Sequence, residues 1–139
     1  VTEFVRELTS PPDTVDDVHD LLDRLWSAEE AVSADDRMRF ETALIELATN
    51  VVQHADPGTG VAWTVRVACD GGSLTGELVD TAPATEFDST AEREMPAELA
   101  EDGRGLAFVR LLVDSATFAS TDAGNTWRIS TALPRPHGR

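Results

Sequence analysis

A carboxylate and an amide stand four residues apart in a helical run whose Leu44, Leu47 and Val51 point elsewhere: Glu46 and Asn50, in Glu46-Leu47-Ala48-Thr49-Asn50. A spacing of four brings both onto one face of a helix. A carboxylate and an amide oxygen aimed together can hold a divalent cation through the amide, while the carboxylate polarises an attacking hydroxyl or water. Asp80 closes an apolar stretch just before a proline-containing segment, where a short carboxylate can reach into a pocket and accept a hydrogen bond. Gly103 and Gly105 flank Arg104 ahead of another apolar run. Glycines there let backbone amides approach an anion at the positively polarised start of a helix. Taken singly, each feature has an ordinary structural reading: a surface pair, a turn carboxylate, a turn glycine pair.

The elements that must position these residues follow from periodicity. Alternation in Phe4-Val5-Arg6-Glu7-Leu8 predicts a first strand, stopped by Pro11 and Pro12, which cannot donate ladder hydrogen bonds. Thr14 with Asp17 three residues on forms a capping-box pattern, and Val15, Val18, Leu22 and Leu25 recur at helical spacing. Asp13, Asp16, Asp20 and Asp23 line another face, which reads as solvated. A second helix starts at Ser33 and runs through Phe40, Leu44, Leu47 and Val51 to about His54, where Asp56-Pro57-Gly58 stops it. Strands over 61–68 and 74–79 flank Asp70-Gly71-Gly72, a strong hairpin signal. The stretch 81–102 lacks a sustained apolar period and reads as a long loop or lid. A short helix follows with Leu106, Val109, Leu112 and Val113, then strands over about 115–120 and 125–133, and the tail 134–139 is expected to fray. The sum is an α+β fold, a two-layer sandwich with a mixed, mostly antiparallel sheet and helices on one face, in one domain spanning 1–139.

Composition narrows the function. The 139 residues carry 11 basic and 26 acidic side chains, a net charge of -15, which repels the phosphates of nucleic acid and an anionic bilayer. The sequence contains no lysine, so a Walker A loop, a protein-kinase strand lysine and Schiff-base chemistry are excluded. Cys69 is the single cysteine, and His19, His54 and His137 are far apart, so neither a disulfide nor a multi-cysteine or paired-histidine zinc site is expected. Cys69 reads as a small buried strand residue, and Trp26, Trp63 and Trp127 as packing residues. No apolar run reaches bilayer-spanning length, and the expectation is a soluble cytoplasmic protein.

The three candidate elements come in one order: Glu46-Leu47-Ala48-Thr49-Asn50-Val51-Val52-Gln53-His54-Ala55, then Leu78-Val79-Asp80, then Gly103-Arg104-Gly105-Leu106-Ala107-Phe108-Val109-Arg110. This order resembles the GHKL (Bergerat-type) ATPase superfamily, with its histidine kinase-like ATPase fold. Within it the chain looks most like the short anti-sigma factor serine/threonine-protein kinases of partner-switching systems. His54-Ala55, Asp114 and Gly124-Asn125-Thr126 also look typical of that group. The resemblance spans nearly the whole chain, to about Leu133.

The resemblance implies that Asn50 ligates Mg2+ held by the phosphates of ATP, that Glu46 is the catalytic base, and that Asp80 binds the adenine amino group. It implies that Gly103 and Gly105 shape the lid beside the phosphates and that Arg104 approaches the γ-phosphate, as its planar donor array suits. The implied partners are a sigma factor, held inactive, and an anti-anti-sigma (STAS-domain) protein phosphorylated on serine; a homodimer is also implied. One departure stands out. The family's Asp-x-Gly motif reads Asp80-Thr81-Ala82 here, followed by Pro83, and glycine at that place permits close backbone approach and positive φ. The alternative reading is therefore a degenerate module that binds a partner protein with little or no kinase activity.

Overall fold

The computed structural model describes residues 1–10, 13–53, 60–81, 105–121 and 124–133. The first strand, β1 (Thr2–Ser10), extends beyond the alternating core of its sequence at both ends. Its exit is fixed by Asp13, whose carboxylate accepts the Thr9 N–H at 2.8 Å. The helix α1 (Val15–Ala28) starts with the capping box in place. The Thr14 hydroxyl accepts from the Asp16 N–H, and the Asp17 carboxylate accepts from the Thr14 N–H. Val18, Leu21, Leu22, Leu25 and Trp26 form its buried stripe. Asp16, Asp20 and Asp23 face solvent, while Asp17 pairs with Arg6 of β1 at 3.0 Å.

The second helix, α2 (Ala34–Gln53), opens on Ser33, whose hydroxyl accepts the Asp36 N–H at 3.1 Å. Phe40, Ala43, Leu44, Leu47, Ala48 and Val51 are buried along it. It packs against α1 and against strands at the middle of the sheet. The close seat depends on Gly76. A Cβ there would lie 3.1 Å from Phe40 Cζ and 3.2 Å from Leu44 Cδ1, so this strand position admits the helix because it carries no side chain.

The hairpin joins β2 (Val61–Cys69) to β3 (Ser73–Asp80). Asp70 Oδ1 accepts the N–H groups of Gly72 and Ser73, both at 2.9 Å, and Gly71 takes φ 90°, a left-handed value that suits glycine. Next along the described chain come α3 (Gly105–Leu112), β4 (Ser115–Thr121) and β5 (Gly124–Ala132). Arg110 of α3 donates to the Ala116 carbonyl and ties the helix to β4.

The strand order is β1-β2-β3-β5-β4, and every neighbouring pair is antiparallel. The expected mixed sheet is thus corrected in one respect. β3 and β4 run the same way, but β5 is inserted between them, so no parallel pair forms among the described strands. The helices cover the face that carries Trp63, Val65, Leu78, Phe118, Trp127 and Ile129. All three tryptophans are core residues, as their sequence context suggested. Among the described residues no helix is long and apolar enough to cross a membrane. The predicted end of α2 at His54, the prolines at 11 and 12, nearly all of the 81–102 loop and the 134–139 tail lie outside the described residues.

Candidate active site

Asp80 is the last residue of β3, and strand alternation turns it toward the helical layer, where it is only 3% exposed. The strand end is held on both sides. Toward β2, the Thr81 N–H and hydroxyl both donate to the Ala62 carbonyl, at 3.0 and 3.1 Å. Toward β5, Asp80 stands in register with Asn125, whose Nδ2 donates to Asp80 Oδ1 at 2.9 Å. Gly124 makes that approach possible. Its φ is 138°, and a Cβ would fall 1.8 Å from the Asp80 carbonyl oxygen.

On the helical side, Asn50 is 2% exposed, and its Nδ2 finds no hydrogen-bond partner among the described residues. Buried amides are normally paired, and the unpartnered atom here is the nitrogen, a donor, so a group that meets it must supply an acceptor. Glu46, one turn earlier, is half-buried. It lines a groove of about 520 Å³ along α1 and α2 that also contains His19, Trp26, Arg37 and Glu41. Glu41 spends both oxygens locally. Trp26 Nε1 donates to Oε1 at 3.0 Å, and His19 Nδ1 lies 3.1 Å from Oε2. The Arg37 guanidinium lies 5.7 Å from the centre of the Trp26 ring. Among the described residues nothing pairs with the Glu46 carboxylate.

The structure therefore brings Asp80 together with Asn125 and places Asn50 in the interior and Glu46 at a groove. Gly105 is the first residue of α3. Gly103 and Arg104, together with Ala82, Pro83, His54 and Ala55, lie outside the described residues. Sequence reasoning did not single out Asn125 or its neighbour Ser120 as site residues. The signal that could have found them is pairing: Asn125 stands opposite Asp80 on β3 and opposite Ser120 on β4.

The donor set has a clear chemical character. An amide carbonyl on Asn50 is the hard oxygen type that Mg2+ accepts alongside phosphate and water. A buried carboxylate already holding one amide suits an exocyclic amine of a nucleobase. The residues thus fit a Mg2+-nucleotide. Among the described residues there is no cluster of three or more His, Cys, Asp or Glu that could hold a metal by protein ligands alone.

The family model of the histidine kinase-like ATPase domain matches residues 8–131. The chain belongs to that family. Domains of this kind bind ATP with Mg2+. Among solved structures the chain is similar to the RsbU and RsbW domains of Rv1364c from Mycobacterium tuberculosis. The TM-score is 0.67 at 21% identity, covering 98% of this chain and 33% of that one. It is also similar to the histidine kinase domain of the blue-light activated histidine kinase EL346 from Erythrobacter litoralis. That match has a TM-score of 0.54 at 20% identity and covers 71% of this chain and 45% of that one. At these identities the likeness is one of fold, and the chain spans about a third of the first protein and less than half of the second. No match was found among curated protein sequences.

Proposed function

We propose that this chain is an ATP-dependent protein-serine kinase of the anti-sigma type. In this reading it works in the cytoplasm, holds a sigma factor inactive and phosphorylates a serine of a STAS-domain antagonist. The observation that carries the reading is the buried Asp80 carboxylate, fixed by the Asn125 amide at the end of β3 in a histidine kinase-like ATPase domain. It is supported by the order of Glu46, Asn50, Asp80 and Gly103-Arg104-Gly105 along the chain.

Each residue has one task. Asp80 accepts a hydrogen bond from the amino group of adenine, and Asn50 offers its carbonyl oxygen to Mg2+. Bound Mg2+ neutralises phosphate charge, which matters in a chain of net charge -15. Gly103, Arg104 and Gly105 are assigned to the phosphates on their sequence pattern alone. Glu46 receives the substrate serine from the groove and takes its hydroxyl proton as the serine oxygen bonds to the γ-phosphorus. The bond from that phosphorus to the bridging oxygen breaks, and ADP leaves with the electron pair. Positioning and charge neutralisation supply the catalysis, and no lysine is required.

Phosphotransfer from Mg2+-ATP to a STAS-domain substrate tests the role of Glu46. Glu46→Ala abolishes transfer while ATP binding is retained; undiminished transfer overturns the assignment. A second reading rests on Ala82 and Pro83, which stand where the family pattern has glycine and small residues. In it the chain is a partner-binding module with little turnover, and Ala82→Gly raises nucleotide affinity markedly. Unchanged affinity in that variant counts against this second reading.

A further inference from the structure

The groove between α1 and α2 has an apolar floor and acidic walls. On α2, Ala34, Met38, Thr42 and Ile45 recur at spacings of three and four, so they form one stripe along the helix. From Ala34 to Ile45 the stripe runs about 17 Å at 1.5 Å per residue. Met38 is 54% exposed, and among the described residues it is the one large apolar side chain that α1 and α2 leave exposed. Trp26 closes the floor from α1, its ring fixed by the bond from Nε1 to Glu41 and by the Arg37 guanidinium over its face. The charge around this floor has one sign. Asp16 and Asp23 stand three and four residues from the groove residue His19, which places them beside it on the surface of α1. Both are exposed, and neither makes an ion pair among the described residues. The nearby cations are already used. Arg37 donates to the carbonyls of Val32, Glu29 and Glu30, and Arg39 pairs with Asp35 at 3.1 Å.

We propose that this groove docks a basic amphipathic helix of a partner protein, about three turns long, whose apolar side chains meet Met38, Ile45 and Trp26 while its arginines or lysines face Asp16 and Asp23. The proposal rests on the one element that both versions of the reading above share, a protein partner. An apolar stripe between two helices accepts the apolar face of a third, and the acidic walls select for positive charge on its flanks. Methionine suits such a surface, because its unbranched, polarizable side chain adapts to the contour laid against it. Glu46 is the last of the groove residues along α2, so a docked helix is brought up to the carboxylate assigned to the substrate serine. A second copy of the chain is the wrong occupant. It would set one acidic surface of a chain of net charge -15 against another.

The test measures, by fluorescence anisotropy, binding of a fluorescein-labelled peptide of about 14 residues with leucines at i, i+4 and i+7 spacing and arginines between them. A scrambled peptide of the same composition carries the same charge without the stripe. The wild type is expected to bind the patterned peptide about tenfold more tightly than the scrambled one. Met38→Asp separates docking from bulk attraction, because it adds negative charge while removing an apolar contact. The expected result is a roughly five- to tenfold loss, the scale of one buried apolar side chain. Asp16→Asn with Asp23→Asn weakens binding, whereas Glu3→Gln with Glu7→Gln on exposed positions of β1, an equal change of charge, leaves it unchanged. Equal affinity for the two peptides, equal losses from the two charge pairs, or tighter binding by Met38→Asp overturns the proposal, because each shows attraction to charge alone. If Met38→Asp fails to fold, Met38→Ala is held to the same loss. A dimer that dissociates in Met38→Asp also overturns it, since a second copy then fills the groove. The Mg2+-ATP shift in Tm, read on the same proteins, reports nucleotide binding separately. Failure of the peptide result with that shift intact overturns the docking surface and spares the kinase reading; an absent shift with the peptide result intact does the reverse.

Discussion

Gly124 and Asp80 meet backbone to backbone: a Cβ on Gly124 would stand 1.8 Å from the Asp80 carbonyl oxygen, at a φ of 138° that L side chains rarely adopt. The end of the sheet that carries the candidate base-binding carboxylate is thus set by a residue with no side chain. Gly124→Ala must displace β3 from β5 or distort the turn. The expected loss is at least about 2 kcal/mol in denaturant unfolding, from positive-φ strain and backbone clash together. Nucleotide affinity falls with it, because Asp80 moves.

The seat of α2 on the sheet is the next dependency. Phe40 is fully buried, lies over Gly76 and meets Trp26 edge to face at 6.2 Å between ring centres. Phe40→Ala opens a cavity under the helix that carries Glu46 and Asn50. Urea unfolding is expected to show a loss of about 3–5 kcal/mol.

Asp70 gives the hairpin a pH dependence of known sign. The N–H groups of Gly72 and then Ser73 hold its carboxyl below the ordinary aspartate value of 3.8. A depressed folded value means that Asp70 contributes stability above the unfolded value, and that this contribution is lost as pH falls through the folded one. The difference in urea midpoint between wild type and Asp70→Ala is therefore full at neutral pH. It narrows below about pH 3.8 and disappears once the carboxyl is protonated in both states.

Cys69 is expected to be inert. Burial is the main influence raising its thiol pKa above 9.0, opposed by a hydrogen bond from the Gly71 backbone and reinforced by the charge of Glu29 and Asp70. The thiolate fraction at neutral pH is correspondingly small. A disulfide reagent such as DTNB should react only slowly with native protein and rapidly after unfolding. Fast native reaction would contradict the buried placement.

Much of this fold was legible from local pattern, and particular residues show where legibility stops. The Thr14-Asp17 capping box, the Ser33 cap and the Asp70-Gly71-Gly72 turn depend on neighbours within three residues, so spacing alone locates them. Helix and strand stripes were legible because burial enforces periods of 3.6 and 2. The insertion of β5 between β3 and β4 was not, since pairing between strands distant in sequence leaves no local trace. For the same reason Asn125 went unrecognised as the partner of Asp80, 45 residues away. Asn50 was visible as a polar residue on a helix with Glu46. Its burial comes from α2 lying against the sheet, which the Gly76 gap permits and which no helical wheel reveals.

The central claim is a working Mg2+-nucleotide site built on Asp80 and Asn50, and thermal unfolding with Mg2+-ATP, Mg2+-ADP and ATP plus chelator tests it most directly. A ligand of the native state at about 100 times its dissociation constant adds about 2.7 kcal/mol. The account predicts a clear Mg2+-dependent rise in Tm that is lost in Asp80→Asn and Asn50→Ala. Wild-type protein that shows no shift with any of the three, or variants that keep the full shift, would contradict it.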